Sequence, residues 1–207
     1  MKRIGVSMRS CPAELYVEAR DGLARDWFSL LHFLGWNWLL VPNLGLKTVD
    51  YVQAQGIDAL ILTGGANLGH DPIRDQSEFA LLQYATKYEL PVLGVCRGMQ
   101  IMCQFHGGKV ISAPKIEIAG LRHSVQICRF PFWFDSSNSS TLMVNSFHHN
   151  VVSMPLSDAL DPIALDEDGY CEAFVHKRLL QVGVMWHPER DATLSSFDRN
   201  LIQWLFK

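Results

Sequence analysis

The 207-residue sequence predicts an α/β fold, a doubly wound, mostly parallel sheet with an antiparallel extension at one edge. Three observations predict it. Short apolar runs alternate with stretches of helical spacing through the first half of the chain. Trp38–Val41 stops at Pro42-Asn43, and Ala59–Leu62 and Val92–Val95 run into glycine-containing turns. Past Gly107-Gly108 helical spacing nearly vanishes, and short strand-like segments follow one another.

Arg3–Ser7 reads as the first strand, and Arg9 to Tyr16 as irregular. Glu18–Leu34 is expected to be a helix, because Leu23, Trp27, Leu30, Leu31 and Leu34 share one face. Trp38–Val41 is a second strand, stopped by Pro42-Asn43, and a weak helix covers Val49–Gln55. Ala59–Leu62 is a third strand, running into Thr63-Gly64-Gly65-Ala66-Asn67, and helix resumes over Gln76–Tyr88. A fourth run, Val92–Val95, ends at Gly94-Val95-Cys96-Arg97-Gly98, after which Met99, Met102, Cys103 and Phe105 follow helical spacing. Val110-Ile111, Val125–Cys128, Leu142–Val144, Glu172–Val175 and Gln181–Met185 are the short strands of the extension. Asp135–Ser140 is a polar loop. Ser196–Phe206 is a closing helix, capped by Ser195 or Ser196. No repeat or linker divides residues 1–207, which are read as one domain.

Cys96 thus sits on a tight strand-to-helix turn with glycine two residues to either side, a nucleophile elbow with sulfur replacing a serine hydroxyl. The glycines let neighbouring chain pass close to a strained turn. A helix N-terminus beneath the sulfur favours thiolate, the reactive form. On these residues alone, a buried cysteine before an ordinary βα loop explains the pattern equally well.

A cysteine nucleophile needs a base, and the base an orienting acceptor. Met185-Trp186-His187-Pro188-Glu189 follows a core strand and offers both: His187 to handle the thiol proton, Glu189 to fix the tautomer. A glycine of Thr63-Gly64-Gly65 would aim a backbone N–H at a developing oxyanion beside that of Arg97, or simply make a βα turn. His148 and His149 face opposite sides of a strand and lack a third ligand at useful spacing, so no metal site is expected.

Gly94-Val95-Cys96-Arg97-Gly98-Met99-Gln100, Val144-Asn145-Ser146-Phe147-His148-His149 and Trp186-His187-Pro188-Glu189 together resemble the class I glutamine amidotransferase domain. Cys-Arg-Gly and Asn-Ser-x-His-His most resemble its γ-glutamyl hydrolase-like branch. The resemblance implies a flavodoxin-like fold and thioester chemistry on γ-glutamyl amides without a cofactor. It implies Cys96 as nucleophile, His187 as base and Glu189 as third member, with Gly65 and Arg97 donating to the oxyanion through their backbone. Gln100 and the Ser146-Phe147-His148 stretch would hold the glutamyl group. The loop after Gly65 reads Ala-Asn-Leu-Gly-His where the family has an acidic-proline pattern, so leaving-group contacts are expected to differ. A narrower resemblance, in Tyr16–Trp27 and Trp186–Asp191, is to family members that release a cytidine phosphoramidate used in bacterial capsules. Its phosphates would need cationic partners. Arg9, Arg20, Arg74 and Arg190 are the candidates, Arg9 and Arg20 foremost because they follow the first strand's carboxyl end.

With 48% hydrophobic and 19% charged residues the composition is that of an ordinary globular protein. The net charge of −3 and the absence of any basic run argue against duplex nucleic acid as a partner. The most apolar window, Trp27–Val41, is broken by His32, Gly35 and Asn37, short of a membrane span. The N-terminal apolar run is too short for a signal peptide. Cysteines 11, 96, 103, 128 and 171 form no Cys-x-x-Cys pair and are odd in number, which suits free thiols in a cytoplasmic setting. The expected partner is a small γ-glutamyl substrate, with a homodimer left open. Two enzymatic alternatives share the same three residues: a glutaminase subunit feeding a separate synthetase, and a hydrolase of γ-glutamyl polyamines or polyglutamates. A non-catalytic binding protein is a third reading, against which the complete Cys96, His187 and Glu189 set counts.

Overall fold

Ile4–Ser7, Ala59–Leu62 and Val92–Val95 have no exposed residue, and each forms an inner strand of a parallel sheet, where both faces are covered. The computed structural model describes residues 2–113, 120–129 and 140–207. Its first half runs β1 (Arg3–Ser7), β2 (Arg9–Ser10), β3 (Asp21–Gly22), α1 (Arg25–Leu34), β4 (Asn37–Val41), α2 (Thr48–Ala54), β5 (Ala59–Leu62), α3 (Pro72–Lys87), β6 (Val92–Val95) and α4 (Arg97–Phe105). Then follow β7 (Lys109–Ser112), β8 (Leu121–Ile127), β9 (Thr141–Ser146), β10 (Asn150–Ser153), β11 (Leu160–Leu165), β12 (Cys171–His176), β13 (Gln181–Val184) and α5 (Ser196–Leu205).

The main sheet runs β4-β1-β5-β6-β13-β12-β11-β8-β9, with β10 bridging β12 and β7. β4, β1, β5, β6 and β13 are parallel to their neighbours, and every pairing from β13–β12 outward is antiparallel. Alternate strand residues feed two cores. Ile61, Leu93 and Val95 pack with Trp27 and Leu31 of α1 and Phe197 and Leu201 of α5. Leu60, Leu62 and Val92 pack with Val52 of α2, Leu81 and Leu82 of α3, and Met99 and Met102 of α4. This is the doubly wound arrangement, and it exposes the carboxyl ends of the parallel strands to ligands. Among the described residues no helix is long and apolar enough to cross a membrane.

The structure departs from the sequence reading in four places. Residues 18–24 are not helical. Arg9–Ser10 pairs with Asp21–Gly22, and bonds from Cys11 N–H to the Arg20 carbonyl and Ala13 N–H to the Glu18 carbonyl continue the hairpin into an exposed arm. The helix α3 starts at Pro72 rather than Gln76, because Asp71 accepts from the N–H groups of Ile73 and Arg74 and Pro72 is pre-set for a first turn. Strands β10 and β11 carry no alternating pattern, β11 being interrupted by Pro162 and a register shift beside it. Gln181–Val184 belongs to the parallel core, not the extension, and pairs with Val92–Val95. Of the two caps read for α5, Ser195 is the one used, accepting from Asp198 N–H at 3.0 Å, in agreement with the sequence reading. The polar loop read from residue 135 lies outside the described residues up to Ser140.

The α4 helix can start where it does only because its second residue has no side chain. A Cβ on Gly98 would run into the backbone carbonyl of Leu62, with the carbonyl carbon at 2.7 Å, so β5 and α4 touch backbone to backbone. Gly98→Ala is expected to cost about 2–3 kcal/mol through this overpacking. That corresponds to a melting temperature lower by roughly 4–10 °C, measurable by thermal unfolding. An unchanged melting temperature would contradict the contact.

Candidate active site

The backbone of Cys96 is bent as no strand or helix residue is, with φ 53° and ψ −107°. Only glycine adopts such a combination without strain. The turn is held on both sides. Cys96 N–H donates to the Val184 carbonyl at 2.8 Å, and the Cys96 carbonyl accepts from Gln100 N–H at 3.0 Å as α4 begins. A Cβ on Gly94 would lie 2.6 Å from the Gly98 carbonyl oxygen, which explains the second flanking glycine. The β-carbon and sulfur of Cys96 are left at the mouth of the turn, beside a pocket of about 320 Å³.

β13 lies next to β6 in register, Val184 opposite Val95, so the residues after each strand emerge side by side. His187 leaves β13 three residues past its end and points back at Cys96. Its Nδ1 is 2.7 Å from Glu189 Oε1, both side chains being buried. Pro188 starts a short 3-10 turn, Pro188–Arg190, that curls Glu189 beneath the ring. Asn145 of β9 clamps the histidine backbone from the other side, donating to the His187 carbonyl and accepting from its N–H, each at 2.8 Å. The opposite ring nitrogen, Nε2, is buried without a hydrogen-bond partner, and the Cys96 side chain is close enough to favour charge on the ring. Burial opposes charge on the ring, but Cys96 and Glu189 together outweigh it and raise the His187 pKa to about 9.

Gly65, Ala66, Asn67, His70, Cys96, Arg97, Gln100, Phe147, His148 and His149 line the pocket. Gly65 ends the β5 loop with φ 148°. The N–H of Arg97 is the first of α4, one of those a helix cannot use internally. Gln100 Nε2 donates to the Asn150 carbonyl at 3.3 Å, while its Oε1 is buried without a partner. His148 donates from Nδ1 to the Asn150 carbonyl at 3.0 Å, and its Nε2 lies 3.6 Å from the buried Glu172. The Phe147 ring stands edge-on to His187 at 5.5 Å, and the Arg190 guanidinium sits 4.1 Å above it. Among the described residues no cluster of three or more histidine, cysteine or acidic side chains is placed to hold a metal.

The residues singled out by sequence therefore separate into those brought together and those not. Cys96, Gly65, Arg97, Gln100, Phe147 and His148 line one pocket, and the hydrogen-bonded His187–Glu189 pair is buried beside it, with Phe147 edge-on to the His187 ring. Ser146 is fully buried behind it, its carbonyl taken by Gly120 N–H. Arg9 borders it, its Cβ 3.3 Å from where a Gly65 Cβ would stand, and its Nε is buried without a partner. Arg20 is not brought in. It stands exposed on the arm, paired with Glu18 and with the Tyr16 hydroxyl, and not at the start of a helix. Arg74 is buried in an ion network. Sequence reasoning gave no role to Asn67, His70, His149 or the clamp residue Asn145. Asn145 was visible only as part of a motif, since its backbone partner His187 lies 42 residues away.

The Peptidase C26 family profile matches residues 4–189. The glutamine amidotransferase-like protein YvdE of Lactococcus lactis is 31% identical over 171 residues, 71% of this chain and 72% of that protein. The gamma-glutamyl-CDP-amidate hydrolase of Campylobacter jejuni is 29% identical over 200 residues, covering 93% of this chain and 92% of the relative. A glutamine amidotransferase structure from Thermotoga maritima superposes with a TM-score of 0.68 at 18% identity, over 98% of this chain and 80% of its own, and shares the fold. The profile spans the elbow cysteine, the pocket and the His187–Glu189 pair, and the chain belongs to the Peptidase C26 family of glutamine amidotransferase-like proteins.

Proposed function

We propose that the protein is a cysteine-dependent hydrolase that cleaves a γ-glutamyl amide through a glutamyl thioester. One observation carries this reading. A strained cysteine at the end of β6 meets a hydrogen-bonded histidine–glutamate pair at the end of the adjacent parallel strand.

The Cys96 thiolate attacks the γ-carbonyl carbon, and the carbonyl π electrons move to oxygen. The N–H groups of Arg97 and Gly65 stabilise that oxyanion. As the tetrahedral adduct collapses, His187 gives its proton to the leaving nitrogen, the C–N bond breaks and the amine departs. His187 then takes a proton from water, whose oxygen attacks the thioester carbonyl. Glutamate leaves and the thiolate and imidazolium are restored. Glu189 keeps the ring oriented and stabilises its charge throughout. The unpaired Oε1 of Gln100 is the acceptor at hand for the glutamyl amine.

For the leaving group the reading extends to a nucleotide phosphoramidate, γ-glutamyl-CDP-amidate giving cytidine diphosphoramidate for capsule modification. The Campylobacter relative named for that substrate aligns along nearly the whole chain, and Arg9, whose β-carbon lies beside Gly65, has a buried Nε without a partner. A charge-assisted contact of this kind contributes about 1.5–3 kcal/mol, roughly ten- to a hundredfold in specificity.

Three outcomes are expected. In a panel of γ-glutamyl amines, polyglutamates and γ-glutamyl nucleotides followed by mass spectrometry, wild type releases glutamate and Cys96→Ala does not. Retained turnover in Cys96→Ala would refute the chemistry, whereas glutamine hydrolysis awakened only by an added synthetase would favour a glutaminase subunit. Arg9→Ala is expected to lower kcat/KM for the nucleotide substrate by roughly ten- to a hundredfold while sparing a small neutral γ-glutamyl amide. Equal losses on both would make Arg9 a fold residue.

The third outcome concerns pH. His187 must be protonated to serve the leaving group, so kcat/KM should hold through neutral pH and fall as pH rises through about 9. The same raised pKa contributes stability that is complete below the ordinary histidine value of 6.5 and is lost as pH climbs toward 9. Glu189→Gln removes one of the two groups that raise the ring and should shift the alkaline limb to lower pH. A limb that stays in place would contradict the assigned role of Glu189.

A further inference from the structure

Glu78 is fully buried on α3, directly beneath the pocket, among charges that the proposed chemistry does not use. Its Oε1 accepts from the Ser7 hydroxyl at 2.8 Å and from Arg74 Nε at 3.1 Å, and its Oε2 pairs with Arg97. Each arginine leads to one side of the pocket. Arg74 donates from Nη2 to the carbonyls of Thr63 at 2.8 Å and Gly64 at 3.1 Å, and its guanidinium packs on the α-carbon of Gly65 where a Cβ would collide. Arg97 is itself the residue after Cys96, and its other guanidinium nitrogen pairs with Asp75, which accepts Gly69 N–H at 2.7 Å. Ser7 closes the set, taking Thr63 N–H on its hydroxyl at 3.0 Å and the Thr63 hydroxyl on its carbonyl at 2.9 Å. The ends of β1, β5 and β6 are thus tied to one carboxylate.

Burial would raise the Glu78 carboxyl, but Arg74 and Arg97 overcome it and hold it below the ordinary carboxylate range, ionised. Buried ion pairs of this kind rarely stabilise a fold more than well-packed apolar residues would. What this one does that apolar packing does not is fix the relative position of two short backbone segments. Those segments carry the N–H groups of Gly65 and Arg97.

We infer that Glu78 is a positioning residue of the hydrolysis, holding the Gly65 and Arg97 N–H groups at the separation the tetrahedral oxyanion requires. The inference rests on the hydrolase reading above. It assigns the ion network to kcat, because the oxyanion exists only after attack and the bound substrate does not depend on both donors equally. Loss of one oxyanion donor costs on the order of 10²–10³ in rate, and loosening two by a fraction of an ångström costs less.

The test pairs two reactions of Cys96 in Glu78→Gln. Hydrolysis of a γ-glutamyl anilide builds an oxyanion; alkylation by iodoacetamide displaces iodide from carbon and builds none. The expected result is a kcat lower by roughly ten- to a hundredfold, KM within about threefold, and an alkylation rate within about twofold of wild type. A kcat near wild type would overturn the inference, as would alkylation falling in step with kcat, which marks a collapsed site. Should Glu78→Gln fail to fold, Arg74→Lys keeps the charge but cannot reach Glu78 and two carbonyls at once. It should lower kcat about tenfold with alkylation retained, and an unchanged kcat would again overturn the inference. Wild type inert toward γ-glutamyl amides would strike the hydrolase reading itself, and this inference with it.

Discussion

The last rung between β6 and β13, the 2.8 Å bond from Cys96 N–H to the Val184 carbonyl, joins the two halves of the site. On one strand the chain must turn at once into α4, and on the other it must continue for three residues and fold back. A left-handed backbone at a non-glycine residue costs on the order of 1–3 kcal/mol and persists only where its surroundings over-determine it. Here they do. The rung fixes the residue's N–H, the first helical bond fixes its carbonyl, and Gly94 and Gly98 leave no slack for another path because their α-carbons lie against backbone. The same rung holds the ends of β6 and β13 side by side, so that strain at Cys96 and the placement of His187 are one constraint.

The antiparallel extension serves that constraint as well. Asn145 lies at the far end of the sheet order, on β9, yet its amide clamps His187 on both backbone groups. Phe147 and His148, which follow β9, close the pocket over the ring and the sulfur. The parallel core supplies Cys96, His187 and Glu189, and the extension supplies the wall that shields them from water. Such shielding strengthens every electrostatic contact inside, including the 2.7 Å pair between His187 and Glu189.

Features carried by neighbouring residues were legible in the sequence. The apolar runs of β1, β5 and β6 lack a polar face, so burial on both sides followed from composition, and the glycine spacing around Cys96 announced a turn where chains touch. Features decided by distant partners were not. The segment ahead of α1 has helical spacing at Leu23, but Asp21–Gly22 finds a strand partner in Arg9–Ser10, and pairing overrode the pattern. The first two turns of α3 bury Arg74 and Glu78 where an amphipathic helix would bury leucine, which erased the apolar period that marks a helix start. The Asp71-Pro72 cap was the local signal that remained. Pro162 hid β11, since a proline inside a strand removes a ladder donor and normally argues against one.

In the proposed hydrolysis Cys96 carries the glutamyl group as a thioester between two half-reactions. Rapid acid quench of the enzyme turning over a γ-glutamyl amide, followed by intact-mass and peptide mass spectrometry, tests it directly. A mass increase of one glutamyl unit is expected on the peptide containing Cys96, labile to hydroxylamine and absent from Cys96→Ala. Steady turnover with no acyl adduct under any quench time, or an adduct on another residue, would contradict it.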